Sequence, residues 1–139
     1  MERSLVLIKP DAMQGRLAGT IINRVEGQGL KLVALKMLHV EKALAQKHYA
    51  IHSDKPFFED LINYIISTPI IASVFEGDGA VKVIRKITGA TNPARAEAGT
   101  IRNNFGLDVM RNVVHGSDSI ETAENEIELF FSENEVFNY

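Results

Sequence analysis

The sequence predicts an α/β protein in which helices pack on a single sheet. Short apolar runs of strand length recur along the chain, and segments with apolar residues at helical spacing separate them. The predicted strands cover residues 4–8, 30–38 and 70–75, with a fourth that ends at Val113-Val114-His115. Strands that alternate with helices in this way favour one sheet with helices on it.

The connecting helices are predicted from apolar residues that recur every three or four positions. This spacing occurs in five segments, which are 17–25, 44–51, 57–66, 81–87 and 120–131. Asp118 or Ser119 is expected to cap the last of them, and Asp118 and Glu121 have the spacing of a capping box. The resulting order is β-α-β-α-α-β-α-loop-β-α, while the order and direction of the strands in the sheet stay open.

Residues 89–106 are rich in turn-forming residues and show little periodicity. A structureless loop of this length is uncommon in a compact domain unless it is functional or belongs to an interface. We therefore expect either a functional loop or a subunit contact here.

Composition sets limits on the class of protein. With 139 residues, 45% of them hydrophobic and 24% charged, residues 1–139 are expected to form one globular domain. The absence of cysteine excludes disulfides and thiolate metal sites and favours a cytoplasmic location. The first residues lack a signal-peptide pattern, and no run approaches the roughly 20 apolar residues of a membrane span, so a membrane is not an expected partner. Because the net charge is −3 and no basic run occurs, nucleic acid is not expected either.

The common nucleotide-binding motifs are missing. Neither the glycine-rich G-x-x-x-x-G-K-[ST] loop nor G-x-G-x-x-G occurs in the chain. If the protein handles phosphate, it must do so with another arrangement of residues.

The most informative segment is 112–119, with the sequence Asn-Val-Val-His-Gly-Ser-Asp-Ser. His115 ends a predicted strand directly before a helix, and a neutral imidazole is a good nucleophile near neutral pH because its ordinary pKa is about 6.5. Glu126, eleven residues later, could orient that ring. Alternatively, His115 simply completes the strand while Ser117 and Asp118 cap the helix, and spacing alone leaves both interpretations open.

This segment resembles the active-site motif N-x-x-H-G-S-D-S of the nucleoside diphosphate kinase family and matches it at every fixed position. The resemblance extends over nearly the whole chain. Further segments that look like parts of the family are Ile8–Asp11, His48–His52, Lys55–Phe58, Gly89–Pro93 and Gly99–Arg102. The pair Asn103-Asn104 departs from the small residue and Asp of many members, which puts a local ion pair in doubt.

The resemblance implies a ferredoxin-like fold: a four-stranded antiparallel sheet built as βαββαβ, with helices covering one face and extra helices in the connections. It also implies a two-step exchange in which His115 takes the γ-phosphoryl group of a nucleoside triphosphate and passes it to a nucleoside diphosphate. The implied assembly is a homo-oligomer, with a hexamer favoured and a tetramer possible. Mg²⁺ is expected to bind mainly through the nucleotide phosphates, so no protein ligand is assigned to it.

The resemblance also assigns residues to the site. His115, Glu126 and Lys9 are the implied catalytic residues. The implied nucleotide contacts are Lys9, Tyr49, His52, Phe57, Leu61, Arg85, Thr91, Arg102, Val109, Asn112 and Gly116. Arginine forks suit phosphate oxygens, and aromatic stacking tolerates different bases, so these residue types fit the implied substrates.

Two other classes of function are alternatives to an enzyme. One is a nucleotide-sensing or nucleic-acid-binding module on the same fold that does not catalyse a reaction, and the other is a purely structural oligomer subunit. The long 89–106 loop is compatible with all three classes, so it does not discriminate between them. An enzyme is favoured by the intact set of His115, Glu126, Lys9, Arg85 and Arg102. The sequence does not determine which imidazole nitrogen would take the phosphoryl group.

Overall fold

The computed structural model describes residues 1–139 and contains one four-stranded sheet. Its strands, in chain order, are β1 (Arg3–Ile8), β2 (Lys31–Leu38), β3 (Ile70–Glu76) and β4 (Val114–Gly116). They lie in the order β2-β3-β1-β4, and every neighbouring pair is antiparallel. This topology confirms the expected ferredoxin-like sheet.

Seven α-helices connect and cover the strands. They are α1 (Pro10–Gln14), α2 (Ala18–Glu26), α3 (Lys42–His48), α4 (Phe58–Ile65), α5 (Ala80–Thr88), α6 (Ile101–Phe105) and α7 (Ile120–Phe130). No helix is both long enough and apolar enough to span a bilayer.

The helices form two cores, one on each face of the sheet. Alternate residues of β1 point to opposite faces, and residues 4–8 are all buried. Leu5 and Leu7 pack in a cluster that includes residues of α3, α4 and α7, whereas Val6 and Ile8 pack in a second cluster with residues of α1, α2, α5 and α6. Helices therefore cover both faces of the sheet.

The short strand β4 distributes its residues between these two cores. Val114 belongs to the second cluster, and His115 pairs with Leu7 and therefore lies on the first face. Gly116 pairs with Val6 on the second face, where a Cβ atom would come within 3.0 Å of Ile84 Cγ2. Glycine at this position thus lets α5 lie close to the strand that carries His115.

Three local features differ from the sequence predictions. Helix α1 was not predicted, and it begins at Pro10, whose fixed φ suits a first helical turn. The 89–106 segment is not structureless, because it contains a 3₁₀ turn at Pro93–Arg95 and helix α6, which Thr100 caps. At α7 the cap is Ser119, which accepts from the backbone N–H of Thr122, while Asp118 pairs with Arg85 instead of forming a capping box.

A strained turn leads into β4. Val113 has φ +67°, a left-handed conformation that a β-branched residue rarely adopts. The backbone N–H of Val114 donates to Asn112 O at 2.9 Å, which closes a three-residue turn. The Asp11 carboxylate accepts from the Val113 N–H at 3.0 Å, and the Lys9 N–H donates to the Val113 carbonyl at 2.9 Å. Both backbone polar groups of the strained residue are therefore bonded to the chain segment that follows β1.

We expect Asp11→Ala to lower the free energy of unfolding by about 2–4 kcal/mol, since it removes a charge-assisted hydrogen bond and leaves a buried N–H unpaired. The Tyr64 hydroxyl also donates to Asp11, so Tyr64→Phe is expected to destabilise by about 1 kcal/mol. Urea unfolding at fixed protein concentration measures both values. Asp54→Ala, at an exposed carboxylate, is the control, and an Asp11→Ala effect no larger than the control would contradict this role.

Candidate active site

One cavity of about 880 Å³ lies beside the end of β4, and every site residue proposed from the sequence lines it. Those residues are Lys9, Tyr49, His52, Phe57, Leu61, Arg85, Thr91, Arg102, Val109, Asn112, His115, Gly116 and Glu126. They come from distant parts of the chain, so the fold brings them to one place.

The centre of the cavity is a hydrogen-bonded chain of three side chains. His115 Nε2 lies 3.0 Å from Glu126 Oε2, and the Ser117 hydroxyl donates to Glu126 Oε1 at 2.7 Å. Glu126 follows Ala123 and precedes Phe130 on the buried side of α7, so helix packing fixes the carboxylate against the imidazole. The His115 side chain keeps 23% of its surface exposed, which leaves it accessible from the cavity.

These contacts determine the protonation pattern. Burial alone would raise the pKa of Glu126, but the hydrogen bond from His115, the charge of that ring and the hydrogen bond from Ser117 bring the pKa below its ordinary value. An ionised carboxylate can only accept, so the proton between the two groups belongs to Nε2 of His115. In the neutral ring the lone pair is then on Nδ1, which makes no hydrogen bond to the protein. The geometry therefore offers Nδ1 as the nucleophilic atom.

A second imidazole, that of His48 at the end of α3, packs edge-on against the His115 ring with centroids 4.7 Å apart. Its side chain is 2% exposed, and its Nδ1 lies 3.8 Å from Glu126 Oε2. Burial, and next the charge of His115, lower the pKa of His48 to about 3. The ring is therefore neutral at physiological pH.

Lys9 enters the cavity from the end of β1 and is almost fully buried. Its ammonium group donates to Met110 O and to Asn112 Oδ1, both at 2.8 Å. The Asn112 amide in turn donates to the backbone carbonyls of Thr91 and Val109. Burial, and next the charge of Arg102, lower the pKa of Lys9 to about 8, so its positive charge begins to be lost in mildly alkaline solution.

Two guanidinium groups complete the cationic part of the cavity. Arg102 on α6 donates to three backbone carbonyls, at distances of 2.7–3.2 Å, which holds the group in place. Burial, and next the charge of Arg85, lower the pKa of Arg102 to about 10. Arg85 on α5 is half exposed and pairs with Asp118. Two arginines and a lysine thus face the cavity in a chain whose net charge is −3, which makes the cavity locally suited to an anion.

The other predicted residues form the walls and rim. Phe57, which precedes α4, is 41% exposed, and Val109 is 59% exposed. The rings of His52 and Phe57 lie 5.6 Å apart, and Tyr49 packs edge-on against His48 at 4.6 Å. Burial, and next the charge of Glu126, raise the pKa of Tyr49 to about 12, so its hydroxyl stays protonated.

Two residues of the central cluster were not identified as site residues from the sequence. Ser117 belongs to the motif that matches the family, but no role other than capping was proposed for it, although its position two residues after His115 was a usable signal for a neighbouring contact. No role at the site was proposed for His48. Its approach to His115 depends on how α3 packs against α7, and no spacing in the sequence encodes that contact.

The chain is similar to known proteins over its whole length. The family described as nucleoside diphosphate kinase matches residues 2–136. The nucleoside diphosphate kinases of Archaeoglobus fulgidus and Methanothermobacter thermautotrophicus are each 55% identical over 139 residues, covering all of this chain and 92% and 93% of those proteins.

Solved structures extend the similarity to the fold. The nucleoside diphosphate kinase of Halobacterium salinarum, in complex with CDP, superposes with a TM-score of 0.97 at 43% identity, over 99% of this chain and 92% of that one. The Aquifex aeolicus nucleoside diphosphate kinase gives a TM-score of 0.95 at 37% identity, over 98% and 99% of the two chains. The chain therefore belongs to the nucleoside diphosphate kinase family, the enzymes that transfer phosphate between nucleoside tri- and diphosphates.

Proposed function

We propose that the cavity catalyses the exchange of a γ-phosphoryl group between nucleotides, with Nδ1 of His115 as the temporary covalent acceptor. The observation that carries the proposal is the bond between Nε2 of this ring and Glu126, which leaves the Nδ1 lone pair free, with no hydrogen bond from a protein donor. In this chain of side chains His115 is the nucleophile, Glu126 orients its ring, and Ser117 bonds the other oxygen of Glu126.

The proposed reaction has two mirrored steps. The Nδ1 lone pair of His115 attacks the γ-phosphorus in line, the bond to the β–γ bridging oxygen breaks, and the nucleoside diphosphate leaves with those electrons. The phosphorylated ring carries a positive charge, which the ionised Glu126 stabilises through Nε2. A terminal oxygen of a second nucleoside diphosphate then attacks the phosphorus, and the N–P bond breaks to restore the neutral imidazole.

The cations of the cavity stabilise the transferring group. Arg102, held by three backbone carbonyls, is in place before substrate arrives and therefore needs little reorganisation. Arg85 is paired with Asp118 and has free N–H groups for a phosphate oxygen. Charge neutralisation and positioning supply most of the catalysis in phosphoryl transfer.

The remaining residues hold the nucleotide. Phe57 and Val109 sandwich the base at the rim, which suits an enzyme that accepts several bases. Lys9 and Asn112, bonded to each other, bind the ribose hydroxyls, and Lys9 also meets the phosphates. The Thr91 hydroxyl and the Gly116 backbone contact the phosphates, while Tyr49, His52 and Leu61 form the wall between base and phosphates. The Halobacterium relative solved with CDP supports a nucleotide in this cavity.

Mg²⁺ binds in the site mainly through the phosphates of the nucleotide. Both oxygens of Glu126 are occupied by His115 and Ser117, so the carboxylate suited to the ion is Asp118 at the exposed rim, acting through water. The ion when bound neutralises charge on the phosphates.

Assembly and location belong to the same proposal. The chain forms a homo-oligomer, a hexamer more readily than a tetramer, and the edge strand β2 supports self-association because Leu35 and Met37 are 49% and 64% exposed on it. X-ray scattering distinguishes the two assemblies. A single domain over 1–139, a cytoplasmic location and the absence of a membrane or nucleic-acid partner stay predictions.

Incubation with γ-labelled ATP and Mg²⁺ is expected to label the chain with an acid-labile, base-stable phosphoryl group. The label should leave the chain as nucleoside triphosphate when a nucleoside diphosphate is added. His115→Ala should abolish the label, whereas His39→Ala, at an exposed histidine outside the cavity, should retain it. A label that persists in His115→Ala would exclude this residue as the acceptor.

Glu126→Gln is expected to lower kcat roughly 10- to 100-fold, the range of a charge-assisted hydrogen bond worth about 1.5–3 kcal/mol. KM should change little because Glu126 touches the imidazole and not the nucleotide. Glu124→Gln, at an exposed position of α7, provides the matched control. Equal kcat values for the two variants would show that the carboxylate does not assist transfer.

The value of kcat/KM is expected to fall as pH rises through about 8, because the Lys9 ammonium loses its charge there in the free enzyme. Below that pH the lysine is protonated and can attract the phosphates. Lys9→Met should be less active and should lack this alkaline decline, while Lys82→Met, at an exposed position of α5, should keep it. An unchanged alkaline decline in Lys9→Met would assign it to another group.

A further inference from the structure

The buried ring of His48 has a feature that the proposed phosphoryl transfer does not explain. Neither of its ring nitrogens has a hydrogen-bond partner, although its side chain is only 2% exposed. Buried polar groups are nearly always bonded in native proteins, and an orphaned one indicates a water or an ion that fills the gap. The imidazole also borders the cavity, so a water or an ion can reach it from solution.

The donors around His48 form a compact set. One ring nitrogen of His48, one of His115 and a carboxylate oxygen of Glu126 all lie within 4.8 Å of one another. Two neutral imidazoles and one carboxylate are the ligands that zinc and similar borderline ions prefer, and three protein ligands with a water in the fourth position is a common arrangement.

We propose that His48, His115 and Glu126 form a binding site for a divalent transition-metal ion such as Zn²⁺, and that the bound ion inhibits the enzyme. The ion is bonded to Nδ1 of His48, Nε2 of His115 and Oε2 of Glu126. It replaces the hydrogen bond from Nε2 to Oε2, while Oε1 of Glu126 keeps its bond from Ser117. Mg²⁺ does not compete for this site, because it prefers oxygen ligands in octahedral geometry. The Lys9 ammonium lies close enough to oppose a cation, so we expect a dissociation constant on the order of micromolar.

The inhibition follows from the tautomer of His115, and this part of the inference rests on the proposed function. In the metal-free ring the proton is on Nε2 and the lone pair is on Nδ1. A metal ion bonded to Nε2 requires the lone pair of that nitrogen, so the proton moves through solvent to Nδ1. The nucleophilic atom then carries a hydrogen and cannot attack phosphorus. The ion sits behind the ring, so a saturating nucleotide is not expected to displace it.

Binding is tested with Co²⁺ and Zn²⁺ on the metal-free full chain. Co²⁺ should give the visible absorption bands of a tetrahedral site, and titration calorimetry should find one Zn²⁺ per chain. His48→Phe keeps the edge-on aromatic contacts of His48 with Tyr49, His115 and Phe130 but removes the ligand, and it should weaken binding at least 10-fold. His39→Ala should bind as the unaltered chain does. Equal Zn²⁺ affinity in His48→Phe and the unaltered chain would overturn the site.

Inhibition is tested by the initial rate of transfer at buffered free Zn²⁺ and saturating Mg²⁺–nucleotide. We expect Zn²⁺ to lower kcat in the unaltered chain and in His39→Ala. In His48→Phe, at least 10-fold more Zn²⁺ should be needed for the same fractional loss. Each rate is compared with the metal-free rate of the same variant. Stoichiometric Zn²⁺ binding without loss of rate would overturn the inhibitory role. Failure of the proposed function is distinguishable, because it would appear as an unlabelled metal-free chain in the γ-labelled ATP experiment.

Discussion

The hydrogen bond between Glu126 and Nε2 of His115 is the interaction on which the rest of the site depends. A carboxylate on the buried side of α7 would be strongly unfavourable without partners, and His115 and Ser117 bond both of its oxygens. Because the carboxylate is ionised and fixed by helix packing, it decides the tautomer of the imidazole. The same contact therefore stabilises the buried carboxylate and fixes the tautomer of His115. This explains why a buried position of α7 holds a glutamate and not an apolar residue.

The sheet delivers the other groups to this contact. Lys9 directly follows β1, and β4 begins after the turn at Val113, so the ammonium and the imidazole come from adjoining ends of neighbouring strands. The bonds from Asp11 and Lys9 to Val113 hold that turn in an unfavourable backbone conformation. Burial, and next the charge of Arg102, lower the pKa of Lys9 to about 8, and a phosphate bound beside the lysine would favour its charged form.

Much of the fold and most of the site residues could be predicted from the sequence. The strands and long helices follow from apolar periodicity, and the motif around His115 led to the antiparallel topology and to a residue set that lies in one cavity. Helix α1 has five residues and α6 has five, too few for periodicity to appear, so both were missed. Glu126 was first named from its position eleven residues after His115, and the family resemblance then implied a catalytic role for it. Ile120, which starts the apolar series predicted for residues 120–131, is 55% exposed. The approach of His48 on α3 to His115 on β4 is a tertiary contact, and no local pattern in the sequence predicts it.

The central claim concerns which imidazole nitrogen carries the phosphoryl group, since the Glu126 bond to Nε2 leaves only Nδ1 free. The most direct measurement is ³¹P–¹⁵N NMR of the chain labelled with ¹⁵N-histidine and phosphorylated by ATP. The expected result is coupling of phosphorus to Nδ1 of His115, with a proton retained on Nε2. Coupling to Nε2 would contradict the account, because it would require the contact with Glu126 to break before the transfer.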